Sequence, residues 1–378
     1  MEGPAYPAAR TVAPRLEAYF ARKHAEVSPR AEEPLAAPPD SRVIEEVIGA
    51  AFWASLRHEE GFVPRISLAF LSREEAVHPI IFDRSLTLDA NSLAKVAPAV
   101  ERPGIHLGVW PDGGELRAWG TTRTIPPLCF VLEVAAPGLL VVKHHRGEGG
   151  KFVNVAVLEG DQIKVVDENA SSLPDCPSLV SSLLGFESPT SWSNSLNLLV
   201  QIAVSMRAHG RGGTLLVVPA GSENWRESVV RPVGYAVSPA FDELAKLSRE
   251  DPDDERTRLW QEELDTAVAT IAGLTAVDGA VVLNSDYELL GFGAKIVRRK
   301  GSTQVEQVTV TEPIEGDSAA LVHPETLGGT RHFSAAQFVK DQQESVALVA
   351  SQDGRFTVFA WSPCEGMVHA HRVDTLLL

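Results

Sequence analysis

The spacing of hydrophobic positions changes character along the chain. In TVAPRLEAYFARKHAE, residues 11–26, Leu16, Tyr19 and Phe20 share one helical face, with Pro14 in the first turn. Pro29, Pro34, Pro38 and Pro39 then stop regular structure. A second helix is predicted from Ser41 to Glu60, with an apolar stripe of Val43, Val47, Ile48 and Phe52. Ser41 is its candidate cap, although Glu45 lies one residue beyond the spacing of a capping box. From Pro64 to Val166 the period shortens to that of strands: RISLAFL, HPIIF, GIHLGVW, LRAWGTT, LCFVLEV, GLLVVKH, KFVNVAVL and QIKVV, separated by Gly, Pro and Asp. WPDGG, from Trp110 to Gly114, is a hairpin turn within that series.

A polar, proline-bearing stretch over 167–183 places a boundary near Pro189. Beyond it helices and strands alternate. A mostly apolar helix over 191–208 leads into the strand GRGGTLLVVP, and helices follow at Pro239 to Ser248 and Asp253 to Leu274, the second begun by the acidic run 251–255. Val277 to Leu283 is an apolar run broken only by Asp278 and Gly279, which predicts a buried strand with a carboxylate near its start. Strands at Tyr287 to Val297 and Gln304 to Thr311 come next, then the turn Gly328-Gly329 and a helix from Ser334 to Glu344. SVALVA at 345–350 and Arg355 to Trp361 close a hairpin through the turn 351–354. The pattern predicts an α/β fold: a mixed sheet flanked by helices in the C-terminal half, with a β-rich N-terminal lobe. The divisions expected are 1–40, 41–188 and 189–378.

Composition narrows the function classes. The 378 residues are 44% hydrophobic and 22% charged, an ordinary globular balance. A net charge of −16 argues against nucleic acid as a partner, because phosphate backbones are held by clustered Lys and Arg. Cys129, Cys176 and Cys364 show no CxxC spacing, which fits a reducing compartment and excludes a zinc site built from cysteines alone. The first residues lack an apolar core of signal length, and Pro127 to Val142 is interrupted by Glu133 and Pro137-Gly138. A cytoplasmic protein without a membrane partner is expected.

Several motifs fall short of their chemistry. RGEGG at 146–150 lacks GxGxxG or GKS character, RHEE at 57–60 lacks the second His of HExxH, and no GxSxG elbow occurs. His144-His145 and His369-Ala370-His371 read as solvated or capping histidines, without carboxylates at ligand spacing. The stronger candidate is the glycine turn: Gly328 and Gly329 let a ligand approach the backbone, and Thr330, Arg331 and His332 add a hydroxyl, a guanidinium and an imidazole suited to phosphate. For His332, bracing the loop is the competing role.

Asp278-Gly279-Ala280 and, later, Gly329-Thr330-Arg331-His332-Phe333 before a helix resemble the two signatures of the diadenylate cyclase (DAC) family. The resemblance spans about 191–363, with GRGGTLLVVP as the family's first core strand. It implies a nucleotide pocket formed by Asp278, Gly279, Ala280, Gly329, Thr330, Arg331 and His332, for ATP or a cyclic-dinucleotide-like ligand. No resident cofactor follows, but Mg²⁺ or Mn²⁺ could accompany a bound nucleotide, with Asp278 as the metal ligand. A homo-oligomer is compatible, since the cyclases present two ATP molecules face to face. The chain departs from the cyclases where Phe333 replaces an arginine of the loop and where Gln352-Asp353 follows Ser351 in place of glutamates. Losing a cation and metal-holding carboxylates argues against turnover. The pattern is similar to divergent DAC-like sensor domains of the DACNV type, whose glycine-rich strand entry resembles His209 to Gly213. The resulting expectation is a catalytically degenerate sensor of a nucleotide or nucleotide-derived signal. The alternatives are an active cyclase or related nucleotidyltransferase, and a protein that kept only the fold.

Overall fold

The computed structural model describes residues 5–28, 34–58, 63–145, 152–167, 198–250 and 257–378. The expected RGEGG turn, the domain boundary near Pro189, the acidic run 251–255 and Cys176 lie outside them. The chain divides into two compact units, 1–166 and 167–377.

The first unit is built on an eight-stranded sheet. In chain order its elements are α1 (Pro7–Val27), α2 (Ser41–Ser55), β1 (Ser67–Phe70), β2 (Ile80–Thr87), α3 (Ala90–Val96), β3 (His106–Asp112), β4 (Glu115–Thr122), β5 (Phe130–Ala136), β6 (Leu139–His145), β7 (Phe152–Glu159) and β8 (Gln162–Val165). The strand order is β2-β4-β3-β1-β5-β6-β7-β8, with β1 and β3 parallel. One face buries Leu68, Leu107, Phe130, Leu132 and Leu140 against Leu16, Phe20, Ile44 and Ile48 of α1 and α2. That is the period-two face of the strands meeting the helical stripe. The cap of α2 is Asp40 rather than Ser41: its carboxylate accepts from Val43 N at 2.8 Å, a reach that Ser41, already inside the first turn, does not have. The hairpin predicted at Trp110 to Gly114 forms, with Gly113 and Gly114 at φ +64° and +85° joining β3 to β4.

The second unit holds α4 (Leu198–Ala208), β9 (Gly213–Val218), β10 (Tyr235–Phe241), α5 (Glu243–Leu247), α6 (Thr257–Leu274), β11 (Ala280–Asn284), β12 (Leu289–Ala294), β13 (Val308–Thr311), β14 (Ala320–Val322), α7 (Thr330–Asp341), β15 (Val346–Ala350), β16 (Phe356–Ser362) and β17 (Met367–Arg372). Its mixed sheet runs β10-β12-β11-β9-β15-β16-β17-β13-β14. Alternate residues of β9, β11 and β15 serve two cores. Leu215, Val217, Val281, Leu283 and Leu348 pack against α4 and α6, while Leu216, Val218, Val282, Ala347 and Val349 pack with Ala335, Phe338 and Val339 of α7. Burial on both faces explains why these strands read as unbroken apolar runs. The α/β class, with helices flanking a mixed sheet in the C-terminal half and a β-rich N-terminal lobe, is the architecture observed.

Three local expectations are corrected. The helix predicted from Pro239 begins instead at Glu243, and residues 235–241 form an edge strand, where a proline's missing N–H costs no ladder bond. The helix predicted from Ser334 starts a full turn earlier, at Thr330. His369 and His371 are buried rather than solvated: His369 Nε2 bonds Glu365 at 2.8 Å, and His371 Nδ1 bonds the Thr311 hydroxyl at 2.8 Å.

Candidate nucleotide site

Strand register brings the candidate residues to one end of the second sheet. β9 and β11 run parallel with Thr214 opposite Ala280, so Gly212 and Asp278, two positions upstream of those partners, enter the sheet side by side. β12 is antiparallel to β11 with Ala294 opposite Ala280, so Lys295 leaves at the same end. β15 is antiparallel to β9 with Ala350 opposite Gly213, which adds Ser351, Gln352 and Asp353.

Asp278 is not the buried carboxylate that the apolar run suggests. The strand starts at Ala280, because Gly279 takes φ +117° and turns the chain before pairing begins. A Cβ on Gly279 would also meet the Gly293 backbone at 2.5 Å, so the two strands approach closely there only with glycine. The Asp278 side chain is 93% exposed and ion-paired with Lys295. The hydrogen bond from Lys295 and its charge, with a further contribution from the Arg331 charge, hold the carboxyl below the usual carboxylate range. Ala280 is buried and contributes backbone alone.

The glycine turn divides its work. Gly329, at φ +77°, is the N-cap of α7 and offers no side-chain cap, so the first-turn N–H groups of Thr330, Arg331 and His332 have no intrahelical acceptor. Gly328 makes room for His332: a Cβ there would lie 2.5 Å from Nδ1. The His332 ring is 1% exposed, turned inward with its edge to Phe359 at 6.0 Å and Nε2 3.4 Å from the Thr357 hydroxyl. Burial pushes its pKa down, so the ring is neutral at pH 7. Its imidazole is packed in the interior instead of facing solvent. Arg331 turns outward. Its guanidinium lies against Gly212, where a Cβ would come 2.9 Å from Nη1, and among the described residues it makes no ion pair. Phe333 stacks at 6.0 Å on His323.

The entry to β9 is fixed separately. His209 accepts from Arg211 N at Nδ1, 3.1 Å, and its Nε2 meets the Thr275 hydroxyl at 3.1 Å. Gln352 donates to the Arg211 carbonyl at 3.4 Å, and Asp353 is bonded to Ser351 and paired with Arg355. Both residues of the later turn are thus engaged in holding loops.

An open cleft of about 420 Å³ lies at this end, with Val230, Pro232 and Val277 as apolar walls, Tyr235 as an aromatic surface, and the pair Asp278 and Lys295 as its charged groups. Its chemistry suits a ligand with a flat apolar body and polar edges, beside a guanidinium and first-turn N–H groups without an intrahelical acceptor, which suit an anion. A hard divalent cation takes six or more oxygen ligands, whereas Asp278 stands beside an ammonium and no cluster of three His, Cys, Asp or Glu side chains suited to a metal occurs among the described residues. This donor set does not fit a metal held by the protein. Lys295, Tyr235 and Gly293 belong to no motif; the only trace in the sequence is the glycine-aromatic-glycine spacing of Gly291 to Gly293.

Residues 33–123 match the model of the family described as DACNV, a probable sensor domain. The match lies within the first unit, and the Asp278 and Gly329 motifs lie outside it. No curated protein matches the chain. Among solved structures, the crystal structure of a hypothetical membrane spanning protein from Bacillus cereus is similar at 16% identity over 53% of this chain and 72% of that one, with a TM-score of 0.29, too low to bear on fold or function. Among the described residues no helix is long and apolar enough to cross a membrane.

Proposed function

We propose that the protein is a sensor whose second unit binds a nucleotide or nucleotide-derived signal without turning it over. The observation that carries this reading is the gathering of Asp278, Lys295, Gly212 and Arg331 at one sheet end beside a helix start whose first N–H groups have no intrahelical acceptor and no side-chain cap among the described residues. Arg331 is the anion contact, Thr330 and the Gly329 turn present the backbone, and the cleft receives the base. Loss of the loop cation at Phe333, and engagement of Gln352 and Asp353 in loop contacts, favour binding over adenylate transfer, which needs preorganised charge around the triphosphate. The match of residues 33–123 to a sensor domain supports the role in signal detection. Calorimetric titration with ATP, GTP and cyclic dinucleotides tests it: saturable heat from one of them is expected, and none from any would remove the reading.

A further inference from the structure

We propose that Tyr235 is the platform on which the ligand's base stacks, and so the residue that makes the site select a nucleobase over bare phosphate; this rests on the nucleotide reading above. Tyr235 sits on edge strand β10, opposite Phe292 of β12, and one face of its ring stacks on that phenylalanine at 4.6 Å with 12° between planes. A cross-strand aromatic pair is by itself ordinary sheet packing. Three further features distinguish this one. The residue is 55% exposed and lines the cleft that also holds Asp278 and Lys295. Gly293 leaves the edge of the ring uncovered, where a Cβ would come 2.8 Å from Cδ2. The hydroxyl has no hydrogen-bond partner among the described residues, so hydrogen bonding does not hold the ring in place.

An aromatic ring with one face backed and the rest open to a cleft is a surface for another flat π system. The carboxylate of Asp278 and the ammonium of Lys295 supply an acceptor and a donor in the same cleft, the pair of functions that the hydrogen-bonding edge of a nucleobase presents in complement. Arg331, on the Gly212 side, leaves the phosphates a place outside the cleft proper. Base and phosphate are thereby read by different residues.

Calorimetry of the whole chain with ATP and with inorganic tripolyphosphate separates the two. Tyr235→Ala is expected to weaken ATP roughly 5- to 150-fold while leaving tripolyphosphate unchanged, and Tyr235→Phe to keep wild-type affinity. Unchanged ATP affinity in Tyr235→Ala would overturn the platform and leave the nucleotide reading intact; equal loss of ATP and tripolyphosphate would reduce Tyr235 to a structural role and overturn it as well. A wild-type protein that binds no nucleotide removes both. Should Tyr235→Ala not fold, photocrosslinking of the wild type with 8-azido-ATP decides: label on the peptide containing Tyr235 supports the platform, and label confined to other peptides overturns it.

Discussion

Replacing Gly328 by alanine tests the packing on which the site's geometry depends, whatever the ligand proves to be. The new Cβ would stand 2.5 Å from His332 Nδ1, well inside van der Waals contact. The ring has nowhere to retreat: it is 1% exposed, edge-on to Phe359 and against the Thr357 hydroxyl. Either the loop lifts or the imidazole leaves its rotamer, an overpacking cost of about 1–3 kcal/mol. Alanine also stiffens the unfolded chain, which offsets about 0.4–1 kcal/mol of this. Taken at the middle of both ranges, a net loss of about 1.3 kcal/mol remains, equivalent to roughly 3–5 °C in Tm for a unit of this size. Urea and thermal unfolding measure it, and hydrogen exchange over 324–341 localises it to the loop and the first turns of α7. The decisive comparison is the same substitution made on a His332→Ala background, where the clash partner is gone and Gly328→Ala should cost little. A loss under about 0.5 kcal/mol in the wild type, or the same loss in both backgrounds, would refute the account of why this turn carries two glycines.

Other outcomes follow from the same geometry. Arg331→Ala should weaken ATP by about 1.5–3 kcal/mol if its guanidinium meets a phosphate, and an unchanged affinity by calorimetry would place it outside the site. Incubation with ATP and Mn²⁺ should give no cyclic dinucleotide by chromatography, because Phe333 packs on His323 instead of supplying a cation; turnover abolished by Asp278→Ala would show an enzyme. Burial pushes His106 and His371 down from 6.5 to about 4, so both states are neutral above 6.5 and only the unfolded state gains protons as pH falls from there toward 4. Stability should therefore fall across that window by up to about 3 kcal/mol for each, and His371→Gln should flatten the slope of urea stability against pH between about 6.5 and 4.5. An identical slope in the variant would mean that His371 titrates normally.

The sheet of the second unit is legible in the sequence because β9, β11 and β15 are buried on both faces, and a strand dry on both sides has to read as an apolar run. The glycine turn is legible too, since paired glycines before Thr330 mark special backbone whatever follows. The helix start is not. Sequence rules look for a hydroxyl or carboxylate cap, and Ser334 offers one, whereas the cap is Gly329, which works through its positive φ and gives the first N–H groups no side-chain acceptor. Asp278 misleads for a related reason: Val277 extends the apolar run, but the turn at Gly279 detaches both residues from the strand. Lys295 and Tyr235 are invisible because what brings them to Asp278 is the pairing of β10, β12 and β11, a long-range register that no local spacing encodes.

The proline in β10 has a consequence for how this sheet meets other chains. An exposed edge strand offers a row of unpaired N–H and C=O groups, a template on which a second strand can add and an aggregate can grow. β10 is such an edge, yet Pro239 withholds one N–H, and the register breaks between Ala236 and Phe241. The regular repeat that an incoming strand needs is interrupted within a few residues of Tyr235. The same interruption that hides this strand from a reading of the sequence keeps an accessible aromatic edge from becoming a seed for polymerisation.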